Sequence, residues 1–107
     1  MKKTLFLAPL VILMAAFTTP DVAPEIPADI KPLLEKHNCV ACHAMEKKLV
    51  GPSWMEISTK KYSKKRIIEL VKKPEPANWP GYAPMAAQPT IPKADLDKMA
   101  GWLAGLK

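Results

Sequence analysis

Cysteine is scarce in this chain of 107 residues: there are two, Cys39 and Cys42, close together in one short stretch. A closed zinc site needs four ligands, and the nearby candidates, these two thiols with His37 and His43, are too crowded to surround one ion. A redox dithiol of the thioredoxin type requires a strand before the motif, whereas residues 30–38 have a helical pattern. The two thiols therefore point to another chemistry.

The chain also lacks an apolar run as long as a membrane-spanning helix. The longest, Leu5 to Phe17, is interrupted by Pro9 and follows a basic start at Lys2 and Lys3. A basic start followed by a short apolar run is typical of an export signal. We therefore predict that residues 1–19 are an export signal or, if uncleaved, an N-terminal anchor.

The predicted export signal indicates where the folded domain begins and in which compartment it is located. Ala16-Phe17-Thr18 is the best cleavage site, although it is poorly specified, and an uncleaved segment would anchor the protein through residues 4–19. Residues 20–27 are rich in proline and are predicted to be a linker, which leaves residues 28–107 as one folded domain. Export places both thiols outside the reducing cytosol, and the predicted location is the periplasm.

The two cysteines belong to the motif Cys39-Val40-Ala41-Cys42-His43. C-x-x-C-H is the attachment signature of a c-type haem, in which both thiols form thioethers with the porphyrin. On a helical turn this spacing puts both sulfurs along one haem edge, and the adjacent histidine becomes the proximal iron ligand. The motif predicts one haem c, bound covalently through Cys39 and Cys42, with His43 on the iron.

Met85 is the predicted second axial ligand. It lies in a proline-rich loop, residues 74–92, that is predicted to be ordered because Trp79 and Tyr82 favour burial. The other methionines lie in the signal segment, too close to His43, or at helical spacing among apolar residues: Met1, Met14, Met45, Met55 and Met99. The alternative is that Met85 only anchors the loop, leaving the iron five-coordinate or bound by His37.

The periodicity predicts an all-α fold of four short helices with no sheet. The first helix is expected to begin with Asp29 as its N-cap. The second has Ser53 as its N-cap, with Glu56 completing a capping box, and ends near Lys61. The third runs from Ser63 to Pro74, and the last spans about Lys93 to Ala104. A domain this small has a marginal apolar core, so the haem is expected to act as the core itself.

From about Ala28 to Leu106 the chain resembles the small bacterial monohaem class I c-type cytochromes. The shared elements are the C-x-x-C-H motif, Val50-Gly51-Pro52, Trp79 ahead of Pro84-Met85, and a terminal helix with Trp102. The resemblance implies the class I cytochrome c fold, four short helices around one covalently attached haem, with the first and last helices crossing. It also implies diffusive electron transfer in the periplasm.

The resemblance implies roles for two further residues. The carbonyl of Pro52 would accept a hydrogen bond from Nδ1 of His43 and so fix its tautomer. The indole of Trp79 would donate to a haem propionate. One departure is Gln88, in the run Met85-Ala86-Ala87-Gln88, where relatives often have asparagine within Met-Pro-Pro-Asn.

The predicted function is one-electron transfer without enzymatic activity, because iron bound by His43 and Met85 has no vacant position for a substrate. The alternative is a haem-based binder or sensor of a small gas, in which Met85 gives way. A third hypothesis is a fixed electron-accepting subunit of a periplasmic dehydrogenase. The expected partners are redox proteins: a dehydrogenase or reductase as donor and a terminal oxidase or reductase as acceptor.

The charge of +6 has two interpretations. The basic residues are concentrated in one part of the sequence: Lys47, Lys48, Lys60, Lys61, Lys64, Lys65, Arg66, Lys72 and Lys73. They form either a solvated surface that keeps the protein soluble or a docking face for an acidic redox partner. Nucleic acid is not an expected partner of an exported chain without aromatic residues in its basic run.

Overall fold

The computed structural model describes residues 3–14 and 24–107. Residues 3–14 are exposed and have no regular secondary structure. The expected cleavage site at Ala16-Phe17-Thr18 and the start of the linker lie outside the described residues. Within the described ranges, no helix has the length and apolar character needed to cross a membrane.

Four α-helices form the domain: α1 (Lys31–Lys36), α2 (Trp54–Ser58), α3 (Lys64–Lys72) and α4 (Lys93–Ala104). Two short 3-10 turns, Cys39–Ala41 and Pro76–Asn78, lie in the connections. The described part of the chain contains no strand beyond one isolated bridge between His43 and Lys48. The predicted all-α class is confirmed.

The start of α1 differs from the prediction. The N-cap position is Ile30, not Asp29, and no side chain caps the helix. The carbonyl of Pro27 already accepts the amides of Ile30 and Lys31, both at 3.0 Å. Because this backbone turn satisfies the first free N–H groups, the carboxylate of Asp29 is not needed as a cap.

Serine side chains cap the next two helices as predicted. Oγ of Ser53 accepts the amide of Glu56 at 3.0 Å, and Oγ of Ser63 accepts the amide of Arg66 at 3.1 Å. Helix α2 ends at Ser58, earlier than the expected Lys61. From Thr59 to Lys61 the amides bond to carbonyls three residues back, in tighter turns, and Lys61 takes a left-handed conformation (φ 52°). Helix α4 has its predicted bounds.

Helix α4 supplies the centre of the apolar core. Its buried side chains pack with residues from the other three helices, and α1 and α4 are in contact as the first and last helices. The core members of α4 are Leu96, Met99, Ala100 and Leu103, and their main partners are Ile30, Leu34, Trp54 and Ile67. Ala100, 1% exposed, is the small residue at the centre of this packing.

A polar contact joins the first helix to the last beside this core. Nε2 of His37, at the end of α1, donates to Oδ2 of Asp95 at 2.9 Å, and Nζ of Lys36 lies 3.2 Å from the same oxygen. The two hydrogen bonds, that from His37 being the larger effect, hold the pKa of Asp95 below its usual value. His37 therefore has a structural role in joining the two helices.

We predict an acid-dependent contribution of Asp95 to stability. Since its pKa is lower in the folded chain, the stabilisation is present above the unfolded carboxyl pKa, about 3.9, and is lost as the pH falls through the native pKa. Thermal unfolding of the holoprotein, followed by circular dichroism from about pH 6 to about pH 2, should lose stability more steeply in the wild type than in Asp95→Asn. Glu46→Gln, at an exposed carboxylate without an ion pair in the described structure, is the control. Identical curves for wild type and Asp95→Asn would contradict the prediction.

Candidate cofactor site

A cavity of about 400 Å³ lies between α1, α3, α4 and the loop of residues 74–92. Cavities of this size hold small organic ligands and cofactors. Its walls are mainly apolar and include core residues from three helices, among them Leu34, Ile67, Leu96 and Leu103. All six residues predicted to bind the cofactor line it: Cys39, Cys42, His43, Pro52, Trp79 and Met85.

His43 is buried and held by one strong hydrogen bond. Its Nδ1 donates to the carbonyl oxygen of Pro52 at 2.6 Å. Because a carbonyl can only accept, this bond puts the proton on Nδ1 and leaves the lone pair on Nε2. Burial lowers the pKa of His43, partly offset by the bond to Pro52, so the neutral form, which binds metals, is favoured.

Gly51 lies directly against the imidazole of His43. A Cβ atom at this position would lie 2.7 Å from Cε1 of His43 and 3.1 Å from the carbonyl oxygen of Cys42. The backbone is equally close, since the amide of Gly51 donates to that carbonyl at 2.9 Å and the amide of Trp54 donates to Ala44 at 2.8 Å. The segment after the motif is thus fixed to the motif, and only glycine fits at position 51.

Trp54 packs against the imidazole of His43. The two ring centroids are 4.6 Å apart with an angle of 31° between planes, and Trp102 meets Trp54 edge-on at 5.6 Å. Sequence reasoning gave Trp54 no role in the site. The signal was available, since an aromatic residue opens α2 two positions after Pro52.

The two cysteines line the cavity from the 3-10 turn and are both partly buried. Burial raises the pKa of the Cys39 thiol, the neighbouring Cys42 raises it further, and a backbone hydrogen bond offsets part of the effect. Nucleophilic redox cysteines have a lowered pKa. The local environment of Cys39 therefore differs from that of a reactive dithiol.

Two methionines line the cavity, in different settings. Met85 lies in the loop of residues 74–92 and is 41% exposed, whereas Met99 is 6% exposed within the core of α4. Met55 does not line the cavity. Gln88 does, and its backbone amide donates to the carbonyl of Val71 at 2.9 Å, which ties the loop to α3.

Aromatic contacts also order the same loop. Trp79 and Tyr82 meet edge-on at 5.9 Å, Nζ of Lys60 lies 4.8 Å from the centre of the Trp79 ring, and Nζ of Lys48 lies 4.4 Å from that of Tyr82. The hydroxyl of Tyr82 donates to Oε2 of Glu56 in α2 at 2.5 Å, and this bond raises the pKa of Tyr82. These contacts give the proline-rich loop a defined position at the cavity.

The residues present fit a haem. The cavity combines apolar walls, two neighbouring thiols, an imidazole with Nε2 available for iron, and a loop methionine. Trp54 also fits a bound polar group, because its Nε1 is buried and has no hydrogen-bond partner among the described residues, and an unsatisfied donor costs about 1–3 kcal/mol.

Comparisons with known proteins agree with this fit. The family model Cytochrome c matches residues 28–107. Cytochrome c-551 of Allochromatium vinosum is 33% identical over 95 residues, covering 85% of this chain and 99% of the relative. Cytochrome c-552 of Nitrosomonas europaea is 33% identical over 79 residues, covering 70% of this chain and 76% of the relative. The crystal structure of wild-type Nitrosomonas europaea cytochrome c552 superposes with a TM-score of 0.65 at 31% identity, covering 72% of this chain and 99% of that one.

We predict that Gly51→Ala displaces the imidazole of His43. The added methyl group would overlap Cε1, and relief of the overlap requires movement of the ring or of the Cys42 backbone, at about 1–3 kcal/mol. The holoprotein should unfold at lower temperature, and its oxidised and reduced visible spectra should change.

Gly101→Ala is the matched control for that substitution. The nearest atom to a Cβ there is Cδ of Lys64 at 3.9 Å, and alanine favours a helix over glycine by up to about 1 kcal/mol. It should therefore be neutral or stabilising and leave the spectra unchanged. Equal behaviour of the two variants would show that His43 does not depend on the space at Gly51.

Proposed function

The chain belongs to the cytochrome c family and carries one covalently attached haem c, and on this premise we propose that it is a periplasmic one-electron carrier with His43 and Met85 as its axial ligands. The observation that carries the proposal is the cavity itself, which brings Cys39, Cys42, His43 and Met85 together. When bound, the haem supplies an iron that exchanges one electron between its ferric and ferrous states. The protein holds the group and sets its environment.

His43 is the ligand whose orientation the structure fixes most firmly. The bond from Nδ1 to Pro52 makes the imidazole a better donor at Nε2, because a hydrogen bond at the second nitrogen raises ligand basicity. Gly51 and Trp54 both lie against the ring and limit its movement. A ligand held in this way needs little rearrangement when the iron changes charge.

Met85 is the better of the two cavity methionines for the opposite position. The side chain of Met99, on α4, is part of the core, and moving it would leave a cavity there. Met85 is on a loop whose flanks are fixed by Tyr82 and Gln88, with its own side chain not committed to the core. A neutral thioether ligand raises the haem potential relative to a second imidazole.

The proposed partners and location follow from the family and the N-terminal sequence. The electron donor would be a periplasmic dehydrogenase or reductase, and the acceptor a terminal oxidase or reductase. Apolar side chains are exposed beside the attachment residues, with Val40 at 40% and Val50 at 55%. They mark the edge where a partner would approach the haem.

Met85→Ala is expected to remove the weak charge-transfer band at the red end of the ferric spectrum that marks iron–thioether bonding, and to lower the reduction potential. Met99→Leu keeps the apolar volume of the second cavity methionine and should retain the band. If Met99→Leu loses the band and Met85→Ala keeps it, the assignment is wrong. Carbon monoxide binding separates the alternative function, since tight binding to the ferrous wild type would favour a gas sensor over a carrier.

Cys39→Ala combined with Cys42→Ala is expected to leave a chain that needs added haem to fold. The cavity walls are also the core, as with Leu34, Ile67 and Leu96, and an empty cavity within a core is destabilising. Circular dichroism of the double variant should show low helix content without haem and a recovery when haem is added, because His43 and Met85 remain. A cooperative melt with full helicity in the haem-free chain would contradict this.

A further inference from the structure

A second recess lies between α3 and α4, and we call it the α3–α4 groove. Ile68 of α3, which is partly exposed, forms its apolar floor, and Leu96 of α4 lies beneath, buried in the core. Four lysines surround that floor: Lys64, Lys65 and Lys72 on α3, and Lys93 on α4. The groove also contains two carboxylates, Glu69 and Asp97.

The groove lies on a different side of α3 from the cofactor cavity. Lys64, Ile68 and Lys72 recur every four residues and so form one stripe along the helix. Ile67 and Val71 form the neighbouring stripe, about 100° away around the axis, and it is this stripe that lines the cavity. A molecule in the groove would therefore not cover the cavity.

Ion pairs within the domain leave the groove positive. Lys93 pairs with Asp97 at 2.5 Å, and Glu69 pairs with Arg66 at 3.5 Å. Lys64, Lys65 and Lys72 have no ion-pair partner in residues 3–14 and 24–107. Three lysine ammonium groups thus remain for an external anion.

The pKa of Asp97 shows the effect of the groove's lysines on a carboxylate. Its pKa is lowered, mainly by the hydrogen bond from Lys93 and further by the charges of Lys64 and Lys72. The lysines of both helices therefore act together on one carboxylate. A carboxylate from another molecule would experience the same positive electrostatic potential from these lysines.

We propose that the α3–α4 groove binds an acidic segment of a protein partner, with carboxylates at the three unpaired lysines and an apolar side chain on Ile68. The recess with an apolar floor favours a protruding chain over a membrane, because a flat anionic surface would contact the lysine tips without reaching the floor. The partner's identity as a redox protein rests on the proposed function.

The binding site and the site of electron exchange would then be separate. Val40 and Val50, exposed beside the attachment residues, do not line the groove. A segment bound there would keep the cytochrome near its partner while the haem edge remains open to a donor or acceptor. The groove would act as a tether.

The test uses ¹⁵N-labelled ferrous holoprotein and a synthetic peptide of glutamates flanking one leucine. Amide shifts should change in α3 and at the start of α4, with little change at Val40 and Val50. Lys64→Gln with Lys72→Gln should weaken peptide binding roughly fivefold to tenfold, as expected for the loss of two exposed ion pairs. Lys31→Gln with Lys47→Gln removes the same charge outside the groove and should weaken binding less.

Two further probes examine the floor and the competing occupant. A peptide with serine in place of leucine should bind more weakly. Binding to phosphatidylglycerol vesicles should be weakened no more by Lys64→Gln with Lys72→Gln than by Lys31→Gln with Lys47→Gln. Equal effects of the two lysine pairs on peptide binding, or shifts spread over all lysines, would overturn the proposal. Vesicle binding that requires Lys64 and Lys72, without peptide binding, would identify a membrane surface and overturn it too. The proposed function is tested separately by the ferric band of Met85, which none of these results changes.

Discussion

The hydrogen bond from His43 to Pro52 is the interaction on which the rest of the site depends. At 2.6 Å it sets the tautomer of the imidazole, and it can form only because the chain returns to the motif immediately after Gly51. The backbone bonds Gly51 to Cys42 and Trp54 to Ala44 hold that return. One short segment therefore orients the imidazole of His43, leaves room for it at Gly51 and packs Trp54 against it.

The second constraint is that the core and the cofactor share the same residues. Leu96 and Met99 of α4 pack against α1 and α3 and also form the wall of the cavity. In a domain of this size such a cavity would be costly if empty, so a dissociable occupant would make stability depend on its concentration. Covalent attachment through Cys39 and Cys42 removes that dependence.

Features with a local cause could be predicted from the sequence. The serine caps of α2 and α3 need only an N-cap oxygen and an amide three residues later, and the attachment motif is defined within five residues. Features that depend on tertiary approach could not. The place of Asp29 as a cap was taken by the carbonyl of Pro27, and the contact of His37 with Asp95 joins residues far apart in sequence. The role of Trp79 came from the family resemblance, whereas Met85 was predicted from its place in the proline-rich loop; the cavity adds only that both side chains reach it.

The folded structure places the lysines of the basic part of the sequence in different surroundings. In the sequence the lysines between positions 47 and 73 form one group, but Lys48 and Lys60 lie over the rings of Tyr82 and Trp79, whereas Lys64 and Lys72 border the α3–α4 groove. Apolar side chains are exposed beside the attachment residues, at Val40 and Val50. Apolar contact at the haem edge permits close approach without a long-lived ion pair, and charge placed elsewhere still raises the rate of encounter. Separating the two properties on the surface allows a carrier to associate quickly and still release its partner after one electron has moved.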